Sequence, residues 1–206
     1  MLKVWGRKNS INVQKVLWCC DELGLDYERI DAGGPFGYTS DPEYLNMNPN
    51  GLVPTISDEG FILWESNAIV RYLAAKHGAG TLWPEDLRRR ADADRWMDWQ
   101  LATLWATMRP VFIGLIRTPP GERDHDAIET ARKKTVEAWN ILEAHIEDRF
   151  YMLGRHFTMA DIPLGVSIYR WLQLDVEKPP TPNLGAYHER LKERPAFRKN
   201  VMLPLS

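Results

Sequence analysis

The sequence predicts an α/β domain with a mixed sheet, followed by an all-α helical domain. Two observations lead to this prediction. Within residues 1–78, strand and helix patterns alternate in the order β-α-β-α-β-β-α. Beyond residues 80–84 (Gly-Thr-Leu-Trp-Pro) the strand patterns stop, and long stretches of helical periodicity follow. A chain of 206 residues, 44% of them apolar, is long enough to bury the cores of two small domains.

The first domain opens with a strand, a helix and a second strand. Residues 2–5 predict a short strand. From about residue 10 to residue 23, apolar side chains recur at helical spacing, and Gly24 then ends the helix. Residues 27–30 predict the second strand, which completes a βαβ unit.

The rest of this domain is predicted to contain a short helix, a hairpin and a longer helix. Residues 32–40 are rich in Gly and Pro and predict a loop, after which Asp41-Pro42 starts the short helix with Pro at its first position. Residues 53–57 and 61–64 predict the hairpin. The longer helix covers residues 66–77, which keep apolar side chains on one side.

The helical domain, residues 87–206, shows four stretches of helical periodicity. They cover about residues 87–117, 125–149, 158–172 and 184–194. Two Pro-rich segments, residues 118–121 and 178–182, interrupt them. Residues 79–86 are the predicted linker between this domain and residues 1–78.

One helix start in the helical domain carries the residues of a capping box. Thr158 is predicted to be the N-cap, and Asp161 reaches back to it. Phe157 and Ile162 are expected to form a hydrophobic staple across the same turn. A cap of this kind contributes about 1 kcal/mol, and we interpret the segment as a folding element.

Composition and charge exclude several classes of protein. A net charge of −2 with intermixed signs gives no reason to expect nucleic acid, and Arg88-Arg89-Arg90 is interpreted as a solvated helix face. No run of 18 apolar residues predicts a membrane span, and no basic-then-apolar leader is visible. The adjacent Cys19 and Cys20 suit neither a disulfide nor a metal site. We therefore expect core thiols, a reducing cytoplasm and no metal.

Two short segments carry the strongest functional signal. Residues 48–54 (Asn-Pro-Asn-Gly-Leu-Val-Pro) turn sharply and enter a strand through a proline, and Glu65-Ser66 ends a strand and opens a helix. The free N–H groups at a helix N-terminus bind anions, and a Glu beside them can hold a cation. Together these segments predict a receptor for a small zwitterion, such as an amino-acid head group.

These two segments, followed in the same order by the Thr158–Asp161 cap, resemble the cytosolic glutathione S-transferases along the whole chain. Because Ser10 stands near the turn where several classes use Tyr, the chain resembles the bacterial theta-, beta- and nu-like classes. The resemblance implies a thioredoxin-like first domain and glutathione as co-substrate. It also implies a small electrophilic, hydrophobic second substrate and a cytoplasmic homodimer, with no nucleic-acid, membrane or metal partner.

The resemblance assigns roles to four glutathione-binding residues. Val53 pairs through its backbone with the cysteinyl unit, like an added strand, and Pro54 follows in a cis peptide bond. Glu65 holds the amino group of the γ-glutamyl unit, and Ser66 holds its carboxylate. The simpler alternative is a serine N-cap with an acidic neighbour, and capping and binding can coexist at one helix start.

Leu52 and Asn50 complete the predicted glutathione-binding residues, and Leu52 departs from the family pattern. Leu52 stands where many relatives carry Lys or Arg, so a charge contact to glutathione is missing there. Asn50, or alternatively Gln14, is expected to add a weaker polar contact. The loop at residues 36–38 also lacks the cation that some classes use for the glycyl carboxylate.

The residue that activates the thiol has two candidates, Ser10 and Asn12, both at the first strand-to-helix turn. Lowering a thiol pKa from 8.5 by about two pH units requires about 2.7 kcal/mol. One charge-assisted hydrogen bond supplies about 1.5–3 kcal/mol, so a single donor is sufficient and no base is needed. We place Ser10 first, by alignment on theta-like enzymes, and Asn12 second, by alignment on nu-like enzymes.

The electrophile pocket is expected between the domains, along the middle of the first long helix. Its candidate residues are Trp105, Met108, Arg109 and Phe112, which recur at helical spacing, although such stripes are commonly plain core. Glutathione-dependent reduction of peroxides or disulfides is a second enzymatic hypothesis. A non-catalytic adaptor with the same fold is a third.

Overall fold

A computed structural model describes all residues, Met1–Ser206. The first domain is a four-stranded mixed sheet with helices on its faces. Its elements are β1 (Leu2–Trp5), α1 (Ile11–Glu22), β2 (Tyr27–Ile30), α2 (Pro42–Met47), β3 (Thr55–Asp58), β4 (Phe61–Trp64) and α3 (Ser66–His77). This order confirms the predicted α/β domain.

The sheet has the strand order β2-β1-β3-β4. Strand β1 runs parallel to β2, with Leu2 opposite Tyr27, and antiparallel to β3, with Val4 opposite Ile56. The hairpin is shorter than predicted, because β3 begins at Thr55. Residue Val53 therefore lies outside the ladder, and its backbone is not part of the sheet.

The second domain is helical throughout, as predicted. Its helices are α4 (Leu87–Trp99), α5 (Trp105–Phe112), α6 (His125–Ile146), α7 (Asp161–Gln173), α8 (Pro182–Lys192) and α9 (Pro195–Asn200). Two π-helical turns, Gln100–Leu104 and Ile113–Arg117, make α4 and α5 one continuous rod over the predicted residues 87–117. No helix is both long enough and apolar enough to cross a membrane.

Several predicted boundaries were wrong. Helix α9 was not predicted, because six residues are too few to show helical periodicity. Helix α6 ends three residues before the predicted residue 149, and α8 lies two residues earlier than predicted. Short 3-10 turns, Gly34–Phe36 and Pro120–Glu122, lie within segments predicted as loops.

Helix α1 joins the two domains into one core. It packs against α3 on one side and against α7 and α9 on the other. Trp18 is fully buried, with its ring 5.4 Å from that of Phe157 and 4.9 Å from that of Phe197. Cys19 and Cys20 are free, buried thiols, as predicted, and burial raises both of their pKa values.

The predicted cap at Thr158 forms with a different hydrogen-bond pattern. The buried carboxylate of Asp161 accepts from the Thr158 backbone N–H at 2.8 Å, as predicted. The Thr158 hydroxyl, however, donates to this carboxylate at 3.2 Å instead of accepting from the helix. Asp161 also accepts from the Met152 N–H and the Tyr187 hydroxyl, so it ties three segments together. Regular α-helix then begins at Asp161.

Candidate functional site

A small polar cleft lies where α1, the loop before β3 and the start of α3 meet. The residues that line it are Asn12, Asn48, Asn50, Leu52, Val53, Pro54, Trp64, Glu65 and Ser66. Seven of the nine were predicted as site residues, although they come from three separate parts of the chain. The fold therefore brings both sequence signals, the Val-Pro turn and the Glu-Ser helix start, into one cavity.

The turn before β3 is held by two buried side chains. The Asn48 amide donates to the Leu52 carbonyl at 2.8 Å, and the Tyr44 hydroxyl donates to the same oxygen at 2.7 Å. Both side chains also contact the Thr55 hydroxyl, at 3.1 and 2.8 Å. The Val53–Pro54 peptide is cis, as the resemblance implies. The backbone of Val53 is thus fixed beside the cleft by neighbours on both sides.

Glu65 and Ser66 stand at the N-terminal end of α3. Glu65 has a φ of 72°, a left-handed conformation that is uncommon for a residue with a side chain and is often found at functional sites. Its carboxylate is exposed at the rim, whereas Ser66 is buried. The first N–H groups of α3 have no helical partner and carry the positive end of the helix dipole. An anion and a cation can therefore bind side by side here.

A lysine lies buried beneath this helix start. Lys15, on α1, is 1% exposed. Its ammonium donates to Gln100 Oε1 at 3.0 Å and to Asn67 Oδ1 at 3.1 Å, with a longer contact of 3.5 Å to Ser66 Oγ. Burial lowers the pKa of Lys15 to about 7, and the charge of Glu65 opposes this change. Near neutral pH the Lys15 side chain is therefore partly protonated, and it lies beneath the position where an anionic ligand would bind.

The partners of Lys15 connect the cleft to the helical domain. Asn67 donates to the Met97 carbonyl at 2.8 Å, and Gln100 donates to Ser167 Oγ at 3.0 Å. Each amide thus accepts from Lys15 with its oxygen and donates with its nitrogen. Asn67 donates across the domain boundary, whereas Gln100 donates to α7 within the helical domain. The network fixes the start of α3 against both domains.

The two candidates for thiol activation, Ser10 and Asn12, lie in different surroundings. Asn12 lines the cleft, and its Oδ1 accepts from Ser66 Oγ at 3.3 Å. This orientation leaves the Asn12 amide nitrogen as a donor. Ser10 does not line the cleft; it is 8% exposed and precedes α1, where its carbonyl accepts from the Gln14 N–H. The sequence could not distinguish them, because both lie in the same turn.

The four candidates for the electrophile pocket have different environments. Met108 and Phe112 are buried in the core, Trp105 is half-buried, and Arg109 is exposed. The Trp105 and Phe112 rings lie 6.2 Å apart. None of the four lines the polar cleft.

Sequence reasoning missed four polar residues that build the site: Tyr44, Asn48, Lys15 and Gln100. One signal was available, since Lys15 interrupts the otherwise apolar face of α1 and would be unusual there without a partner. Gln100 carries no such signal, because its partners are distant in sequence. Asn48 opens the predicted turn at residues 48–54, but its role in holding that turn was not predicted. No group of three or more His, Cys, Asp or Glu side chains is placed to hold a metal ion.

Comparison with known proteins identifies the family to which the chain belongs. Residues 1–75 match the family model "Glutathione S-transferase, N-terminal domain", and residues 126–190 match "Glutathione S-transferase, C-terminal domain". The chain belongs to the glutathione S-transferase family.

The chain is also similar to individual members of this family. The chain is 46% identical to glutathione S-transferase GstB of Escherichia coli K12, over the full length of both chains. It is 29% identical to glutathione S-transferase 3 of Zea mays, over 97% of this chain and 93% of that protein. The theta class glutathione S-transferase of Xanthomonas axonopodis pv. citri, solved with glutathione bound, superposes with a TM-score of 0.96. That match has 45% identity and covers 100% of this chain and 99% of the other.

Proposed function

We propose that this protein binds glutathione in the polar cleft, stabilises its thiolate and conjugates it to a small electrophilic, hydrophobic substrate. The observation that supports this most strongly is the convergence of Asn12, Val53, Glu65 and Ser66 on one cavity. A peptide strand can pair with the Val53 backbone, while Glu65 and the start of α3 hold an amino and a carboxylate group. Glutathione carries these groups in this order.

We propose Asn12 as the donor to the thiolate, in preference to Ser10. What supports Asn12 is its place in the cleft and the contact from Ser66 to its oxygen, which leaves the amide N–H₂ free to donate. A thiolate that gains one such bond is stabilised by about 1.5–3 kcal/mol relative to the thiol. That energy keeps a large fraction of bound glutathione ionised near neutral pH.

Calorimetry of glutathione binding, combined with ultraviolet absorbance of the bound thiolate across pH, tests both proposals. Asn12→Ala should raise the apparent thiol pKa of bound glutathione by about one to two pH units, with a smaller effect on affinity. Ser10→Ala is the matched control in the same turn and should leave the thiol pKa unchanged. If Ser10→Ala alone abolishes the thiolate signal, Ser10 is the activating residue. If glutathione does not bind, the proposed function fails.

Glutathione-dependent reduction of peroxides or disulfides is a second candidate, because an asparagine donor in the cleft also suits that chemistry. Turnover of a hydroperoxide or of hydroxyethyl disulfide at rates above conjugation would favour it. Glutathione binding without any turnover would indicate a non-catalytic adaptor.

We also propose that the protein works as a cytoplasmic homodimer, as the resemblance implies. The two buried free thiols fit a reducing compartment. Apolar side chains left on the surface of both domains, including Phe61 and Leu101, are available for a partner subunit. Analytical ultracentrifugation measures the oligomeric state, and a monomer at micromolar concentration would contradict the dimer.

A further inference from the structure

Three arginines near the start of α1 have no acidic partner. Several other partly buried arginines pair with carboxylates, as Arg71 does with Asp94 and Arg194 with Glu22. Arg7, Arg117 and Arg170 take part in none of the ion pairs of the molecule. They come from the β1–α1 turn, the end of the α5 rod and α7, so only the tertiary fold brings them together.

Two residues connect the three guanidinium groups. Arg7 Nη1 donates to Asn9 Oδ1 at 2.6 Å, and Arg170 Nη2 donates to the Asn9 carbonyl at 3.1 Å. Arg170 and Arg117 both lie over the Phe112 ring, with their Cζ atoms 4.3 and 5.3 Å from its centroid. Asn9 and Phe112 therefore hold the arginines in one cluster beside Ser10.

The cluster concentrates positive charge in a partly desolvated place. Arg170 is 2% exposed, and its Nε–H has no hydrogen-bond acceptor. Burial, and then the charges of Arg117 and Arg7, lower the pKa of Arg170 to about 9. Burial and the charge of Arg117 likewise lower the pKa of Arg7. Uncompensated burial of a cation is costly, so a bound anion would relieve both the repulsion and the free donor.

The position of the cluster indicates what the anion is attached to. None of the three arginines lines the cleft proposed for glutathione, and two of them belong to the helical domain. Asn9, which Arg7 and Arg170 share, lies three residues before Asn12, the proposed thiolate donor. With Asn12 as the thiolate donor, the cluster lies near the reacting end of glutathione along the chain, and Arg117 and Arg170 extend it onto the helical domain.

We propose that Arg7, Arg117 and Arg170 form a subsite for the carboxylate of the electrophile, so that the enzyme prefers small electrophilic acids over their neutral analogues. This inference rests on the proposed transferase function. A guanidinium pair matches a carboxylate in shape and charge, and Arg holds it in a fixed orientation. The reacting carbon is then presented to the thiolate.

For a 2-halo acid the reaction is a single displacement. The glutathione thiolate, whose proton has already passed to solvent, forms a carbon–sulfur bond with the carbon next to the carboxylate. The carbon–halogen bond breaks and the halide leaves with its electron pair. No oxidant, reductant or metal is required, and the arginines hold the carboxylate throughout.

The test compares iodoacetate with iodoacetamide, which share the reacting carbon and the leaving group and differ in charge. Iodide release, corrected for the uncatalysed rate, gives kcat/KM for both substrates. Arg117→Gln and Arg170→Gln should lower kcat/KM for iodoacetate by about 10- to 100-fold, the range of one charge-assisted hydrogen bond. The value for iodoacetamide and the KM for glutathione should change less than about threefold. Arg88→Gln, on an exposed face, is the matched control and should change neither.

Each alternative outcome is distinct. Because Arg117 is exposed, its variant should fold even if Arg170→Gln does not. Equal losses for iodoacetate and iodoacetamide would overturn the subsite but leave the transferase function intact. A rise in the KM for glutathione with both substrates would mean that the arginines bind the glycyl carboxylate of glutathione, which also overturns it. If the parent protein turns over neither substrate nor any neutral electrophile, the transferase function itself fails, and the subsite with it.

Discussion

Replacing the buried Lys15 with Met should change how the stability of the protein depends on pH. The Lys15 pKa is about 7 in the folded protein, against an ordinary value of 10.5, because burial disfavours the ammonium form. The folded state therefore binds this proton less tightly than the unfolded state does. The free-energy cost of burying the charged Lys15 is fully present below pH 7, and it disappears as the pH rises from 7 towards 10.5. Methionine has a similar shape and no charge, so the variant lacks this dependence.

The magnitude follows from the size of the pKa displacement. A difference of one pH unit in pKa corresponds to about 1.4 kcal/mol, and the penalty falls by about 2 kcal/mol between pH 7 and pH 9. The variant also leaves the oxygens of Asn67 and Gln100 without a donor, at about 1–3 kcal/mol each. That second cost does not change with pH. The free energy of unfolding of the parent, minus that of Lys15→Met, should therefore rise by about 2 kcal/mol over this range.

Urea unfolding of both proteins at pH 7, 8 and 9 measures this difference. Lys134→Met is the matched control, because Lys134 is an exposed lysine, and its difference from the parent should stay constant within about 0.5 kcal/mol. A difference for Lys15→Met that is also flat across this range would refute the reasoning. It would mean that the ammonium is charged throughout and that its three hydrogen bonds offset the cost of burial.

Two further predictions concern the helix starts. Glu65→Gln should weaken glutathione binding by about 10- to 100-fold, because a charge-assisted bond to the ligand amino group is lost. Calorimetry measures the affinity, and Glu147→Gln, at an exposed position, is the control. An unchanged affinity would contradict the role of Glu65. Asp161→Asn should lower the free energy of unfolding by about 1–3 kcal/mol, because an amide cannot accept from both the Met152 and Thr158 N–H groups. Burial raises the pKa of Asp161 to about 6, so the folded protein holds this proton more tightly than the unfolded chain, and the parent loses stability as the pH rises from about 4 to 6. The gap between parent and variant in thermal unfolding should therefore be wider at pH 5 than at pH 7, and a gap that widens with pH would contradict this account.

The sequence by itself determined the order of the strands and helices in the first domain and the helical character of the second. The alternation of strands, the helical periodicity and the Gly and Pro residues that end helices and strands are local properties of the sequence. Helix α3 and strands β1, β2 and β4 were therefore predicted with correct bounds. The motif residues Val53, Pro54, Glu65 and Ser66 could also be recognised in the sequence, because each motif is a pair of consecutive residues. The predicted length of β3 was wrong, since a proline turn resembles the strand that it enters.

The tertiary structure alone decided which polar groups meet. Whether Ser10 or Asn12 faces the cleft depends on how α1 rotates against α3, and no local pattern reports that rotation. Lys15 could be seen as an anomaly on an apolar face, but its partners at positions 67 and 100 are contributed by two other helices. The arginines at positions 7, 117 and 170 likewise form a cluster only after both domains pack on α1. Sequence patterns report interactions between near neighbours, whereas charge and hydrogen bonding at a site depend on residues that folding brings together from far apart.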